Sequence, residues 1–133
     1  MILHTPTSVG DALDRLTILA IKGDRVRDPL QLANVKREYM VLREAWMQAS
    51  LPEPEALEFF RLLREVNEQL WDVEDHLRML EAAGRFDAVF VEKARSVYQT
   101  NDRRAALKKR VNLDFGSALV EEKQHPHYPQ VEG

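Results

Sequence analysis

Apolar and polar positions alternate most regularly between Phe59 and Glu81. Phe59, Leu63, Val66, Leu70, Val73, Leu77 and Leu80 step by four and three without a polar interruption, the seam of a helix packed in a bundle. A second row lies about 100° round the same helix: Phe60, Arg64, Asn67, Trp71, Glu74, Arg78 and Glu81. A large aromatic in register with an amide, carboxylates and guanidinium groups exceeds what a solvated face requires. This row is a candidate functional surface.

Punctuation divides the rest of the chain into helices. Ser8 with Asp11 three residues on resembles a capping box, so a first helix is expected over about 9–22, released near Gly23. Asp28 followed by Pro29 supplies a cap and a first-turn proline for a second helix over about 29–48. Its own seam is Leu32, Val35, Tyr39, Leu42 and Trp46. The segment SLPEP ends it, and Pro54 opens a third helix over about 54–82. Gly84 serves as a left-handed terminator, and Asp87 caps a fourth helix over about 87–112. Nothing reads as an alternating strand. The expected fold is all-α, an antiparallel four-helix bundle-like domain over 1–112 with an irregular tail over 113–133. Phe115, Leu119 and Val120 are placed to dock the first half of that tail, and its end, HPHYPQVEG, is expected to be mobile.

The short turn near Gly84 makes the third and fourth helices an antiparallel hairpin in which facing residue numbers sum to about 170. That arithmetic sets Arg78 near Glu92, Asp75 near Arg95, Glu74 near Ser96, Trp71 near Tyr98, and Asn67 near Asp102 or Arg103. The apolar row Phe90, Ala94, Val97 on the fourth helix meets Asn101, where a bundle would normally carry leucine, and Arg104 and Lys108 follow on the same side. A candidate cluster results: Asn67, Trp71, Glu74, Asp75, Arg78, Arg95, Tyr98, Asn101, Arg104 and Lys108. One role for it is a hydrogen-bond and ion-pair network that fixes helix register. Another is a groove in which guanidinium groups meet phosphate or carboxylate while Trp71 and Tyr98 offer flat faces to a sugar or base. A third use of the chain is a protein-binding surface on spare apolar positions, Ile18, Ile21 and Met40. Asp11 and Arg15 are spaced as an i,i+4 pair on a solvated face, and Asp14 and Arg15 are placed to border the groove.

Composition narrows these uses. The chain of 133 residues carries a net charge of −3 and no cysteine, which removes disulfides and thiolate chemistry and fits a cytoplasmic setting. No window reads as a membrane span or signal peptide. Charge is uneven: 53–82 holds nine acids and three bases, whereas 92–112 holds seven bases and two acids. Nucleic-acid binding would rest on the fourth helix alone, opposed by its acidic neighbour, so none is expected. His125 and His127 lack a third ligand, and neither a HExxH nor a paired Glu-x-x-His motif occurs, so no metal or cofactor is expected. Catalysis is not favoured, although small helical mutases do act on dianions by electrostatics alone. A non-catalytic binding or accessory module is the expectation. Its partner would be an anionic small molecule, such as a sugar phosphate or nucleotide sugar, or a protein, with a homo-oligomer also open.

Four ordered segments carry a resemblance. SVGDALDRLTILAIK, NEQLWDVEDHLRMLE, FDAVFVEKARSVYQTNDRRAALK and GSALVEEK resemble the landmarks of a family of small bacterial all-helical proteins of unknown function. The resemblance covers nearly the whole chain. It implies a helical protein, some of whose relatives are encoded beside glycosyltransferase or cell-envelope polysaccharide genes.

Overall fold

The structure, a computed structural model, describes residues 1–122, 124 and 126. It contains four helices in the order α1 (Val9–Arg25), α2 (Pro29–Gln48), α3 (Glu58–Ala82) and α4 (Ala88–Asp114), with a 3-10 turn at Pro54–Ala56 before α3. No strand occurs among the described residues. The fold is all-α. Each start has a local cause: the Ser8 side chain accepts from Asp11 N–H, Asp28 accepts from Leu30 and Gln31 N–H, and Asp87 accepts from Val89 and Phe90 N–H. Gly84 and Gly116 adopt φ +66° and +63°, and the amides after them, Arg85 and Ser117, donate back to Leu80 and Asn112 carbonyls. Two glycine-terminated Schellman ends therefore close α3 and α4.

Three boundaries differ from expectation. α1 passes through Gly23 to Arg25, because an isolated glycine does not stop a helix whose flanking turns are packed. The third helix does not start at Pro54: the chain makes one 3-10 turn, extends at Leu57 (φ −78°, ψ 137°) and only then enters α3. That turn is held from α2, where Trp46 Nε1 donates to the Pro52 carbonyl and Tyr39 and Arg43 donate to Glu55. α4 continues to Asp114, two residues further, because Gly116 rather than the polar composition of the tail sets its end.

α1 lies at the centre and packs against all three other helices, while α3 and α4 form the antiparallel hairpin. Leu13 and Leu16 of α1, Trp46 of α2, Phe60 and Leu63 of α3 and Val111 of α4 make one buried core cluster. Phe115 seals its edge with its ring at 75° to Trp46 and 6.3 Å between centroids. α2 contributes little beyond Trp46, its one buried residue. α1 runs antiparallel to α4 and approaches it most closely at Gly10. A Cβ there would overlap the Lys108 carbonyl oxygen and come within 2.9 Å of Asn112 Oδ1. The space is occupied by backbone, which cannot rotate away.

Gly10→Ala is therefore expected to force α1 from α4 and to cost on the order of 1 to 3 kcal/mol, as overpacking does. Gly23→Ala, where nothing lies within 4 Å, should be neutral or stabilising. Urea unfolding of the two variants checks the contrast.

Candidate functional site

The second row of α3 is the berth of α1. Phe60 is buried, Arg64 reaches Asp24, Asn67 reaches Asp14 and Thr17, and the Arg25 guanidinium stacks 5.4 Å from the Trp71 ring centroid. All of these polar partners lie on α1. The row then outruns its cover: α1 makes its last polar contact at Asp72, and Glu74, Arg78 and Glu81 are exposed.

At the centre of the berth stands Asp14, whose side chain is 5 % exposed. Its Oδ1 accepts from Asn67 Nδ2 at 2.9 Å and from Arg104 Nε at 2.9 Å, and its Oδ2 accepts from Arg104 Nη2 at 2.6 Å. Thr17 closes the set, accepting from Asn67 Nδ2 at 3.0 Å while donating to the Asp14 carbonyl at 2.6 Å. This is a bidentate guanidinium–carboxylate pair with a third donor, Asn67, on the carboxylate, the geometry that lets a charge pair survive out of water. The hydrogen bonds to Asp14 hold the Arg104 pKa above the ordinary arginine value despite the opposing effect of burial.

One turn toward the N-terminus the same faces are tied again. Lys108 Nζ lies 2.6 Å from Asp11 and 2.9 Å from Glu121, and Lys109 reaches Glu122, so the residues after Gly116 run back along α4. Burial alone would lower the Lys108 pKa, but the hydrogen bonds to Asp11 and Glu121 prevail and raise it. The first turn of α1 is closed as well: Val9 N–H donates to Ser117 Oγ, Gly10 N–H to Asn112 Oδ1, Asp11 N–H to Ser8 Oγ and Ala12 N–H to the Ser8 carbonyl. Three of the four donors that a helix leaves open to an anion, those of Val9, Gly10 and Asp11, are used internally.

Of the ten residues expected to cluster, the structure gathers Asn67 and Arg104 on Asp14 and sets Lys108 one turn away. Asn67 turns to α1 rather than to Asp102 or Arg103. Trp71 meets Arg25, Asp75 meets Arg78 of its own helix, and Glu74, Arg95 and Tyr98 are exposed. Asn101 is half-buried and takes no part in these hydrogen bonds. Arg15 reaches Glu38 of α2 rather than Asp11. On the surface considered for a protein partner, Ile21 is 1 % exposed and belongs to the core, and Ile18 is half-buried. Sequence reasoning gave Asp14 only a border role, yet a signal was present. It lies in the apolar stripe Gly10, Leu13, Asp14, Thr17, Ile21, where an acid must have a partner.

The opposite face of the hairpin carries a cleft of about 380 Å³ lined by Leu62, Glu65, Val66 and Gln69 of α3 and Arg103, Ala106, Leu107 and Arg110 of α4. Arg103 donates to Thr100 Oγ1 at 3.0 Å and touches Gln69 Oε1 at 3.5 Å, so facing numbers sum to about 172 rather than 170. The Arg110 guanidinium lies over Phe59, 5.4 Å from its ring centroid. Neither arginine has a carboxylate partner among the described residues. Among those residues no group of three His, Asp or Glu side chains is placed to share a metal, and His125 and His127 lie outside them. No helix there is long and apolar enough to cross a membrane.

Fold and network together define a small all-α protein built as a helical hairpin closed by a central helix. The chain belongs to a family of unknown function, DUF6165, whose model matches residues 3–129. No curated protein and no solved structure matches it.

Asp14→Ala should strand the Arg104 guanidinium and cost about 2 to 4 kcal/mol, the lower part of the range for breaking a buried pair because Arg104 keeps some access to water. Asp11→Ala should cost less than about 1 kcal/mol, since Lys108 retains Glu121. Denaturant midpoints decide between them. Because the folded pKa of Lys108 lies above its unfolded value, its contribution is complete below about pH 10 and is lost as pH rises through the folded pKa. A stability profile in alkaline buffer should show this decline in the parent and a smaller one in Lys108→Gln.

Proposed function

We propose that this chain is a non-catalytic binding or accessory module whose outer α3–α4 cleft receives an anionic partner. One observation carries the reading. Of the cations first assigned to an anion groove, Arg104 is spent on Asp14 and Lys108 on Asp11 and Glu121, whereas Arg103 and Arg110, with no carboxylate partner among the described residues, border an open cleft whose lining acid, Glu65, is held by Arg61. Their planar forks suit phosphate or carboxylate, and the apolar floor of Leu62, Val66 and Leu107 suits a ligand with a hydrophobic or ring-bearing body. Sugar phosphates and nucleotide sugars combine both features. On this reading Asn67 and Arg104 act architecturally, positioning the hairpin for the cleft on its far side. The absence of cysteine accords with work in the cytoplasm.

Thermal shift against inorganic pyrophosphate, a sugar phosphate, a nucleotide sugar and a dicarboxylate tests the proposal. At least one should raise the melting temperature of the parent and leave Arg103→Ala and Arg110→Ala unmoved, with Arg95→Ala behaving like the parent. A shift that survives both cleft substitutions, or no shift with any of the four, would overturn it.

A further inference from the structure

The residues around the cleft carry a charge pattern that is self-complementary. α3 holds seven acids and three bases, net −4, and α4 holds seven bases and three acids, net +4. On the outer face this asymmetry is regular. Glu58, Glu65 and Asp72 follow one another at seven-residue spacing along α3, Glu65 in the cleft and Asp72 at the edge where the outer face meets Arg25 of α1, and Arg103 and Arg110 stand seven apart on α4. With facing numbers summing to about 172, the two arginines lie level with α3 positions 69 and 62, each between two of the acids. The result is an alternating ladder, acid and base offset by about one helical turn, 5 to 6 Å.

We infer that the partner of this face is a second copy of the chain, joined about a two-fold axis running along the hairpin. The inference rests on the reading of the cleft as the binding face and names what occupies it. That axis lays α3 of one copy antiparallel on α4 of the other, net −4 against net +4, whereas an axis across the hairpin would oppose like to like. Glu65 and Asp72 of one copy then flank Arg103 of the other, and Glu58 and Glu65 flank its Arg110. The acids have capacity for this: among the described residues Glu58 and Glu65 pair only with Arg61, and Asp72 only with Arg25, each with most of its side chain in water. Between the charged rows Leu62, Ala106 and Leu107 present an apolar strip over the buried Val66, and the small Ala106 allows close approach. The extent is adequate. Two helices about 10 Å apart, each about 10 Å wide and about 37 Å long, present a face of about 20 by 37 Å, on the order of 700 Å² per copy and roughly 1,400 Å² in all, within the range of specific interfaces.

Sedimentation velocity of the full chain over a broad concentration range tests the inference, with circular dichroism as a control for folding. The parent should move toward twice the monomer mass as concentration rises at low ionic strength, and return toward monomer in high salt. The double variants Arg103→Glu with Arg110→Glu, and Glu65→Lys with Asp72→Lys, change exposed side chains and should remain helical but monomeric. Mixed in equal amounts they should dimerise again, because each supplies the face the other has lost. A parent that stays monomeric throughout, or reversed variants that keep the dimer mass, would overturn the inference. If the chain is monomeric yet pyrophosphate still shifts its melting temperature through Arg103 and Arg110, self-association falls and the binding reading stands. If both effects are missing, both fall.

Discussion

Asp14 accepts two hydrogen bonds from Arg104 and one from Asn67, and in doing so it joins α1, α3 and α4 at a single buried carboxylate. Hydrophobic contact between helices is tolerant of sliding and rotation, since one leucine serves nearly as well as its neighbour a turn away. A charge sealed from water is not tolerant, because every displaced hydrogen bond leaves an uncompensated group. The carboxylate therefore selects one register of α1 on the hairpin from those the apolar seams alone would permit. The close pass at Gly10 and the capping of α1 by Asn112 and Ser117 then act in the same register, so three independent constraints agree.

This arrangement accounts for where the open surface lies. α1 covers one face of the α3–α4 hairpin, from Phe60 to Trp71, and takes up Arg104 and Lys108 on that face for its own attachment. Charged groups on the far face stay outside that attachment, and there Arg103 and Arg110 border a shallow cleft. The network and the cleft are two sides of the same pair of helices. Rigidity on the first is what holds the spacing of arginines on the second.

Charge separation within the hairpin has two consequences. Inside one chain it draws α3 and α4 together at modest gain, because most of the pairs are exposed and screened. Between chains it would give orientation, since opposite helices must face each other. The same residues thus contribute little to folding and, in the proposed dimer, would set its orientation. Glu58, Glu65 and Asp72 illustrate this, being paired locally with Arg61 or Arg25 while remaining mostly solvated.

Local chemistry made much of the fold legible in the sequence. The seam from Phe59 to Leu80, the caps at Ser8, Asp28 and Asp87, and the terminator Gly84 act within a turn or two of themselves, so four helices and an antiparallel hairpin could be read directly. The second row of α3 was legible as a special face but not as the berth of α1, because periodicity tells which residues share a side and not what covers them. Asn67 and Arg104 lie 53 and 90 positions from Asp14 along the chain. Only the packing of α1 across the hairpin brings them within hydrogen-bond reach, and that packing decided which cations are spent in the interior and which remain at the surface.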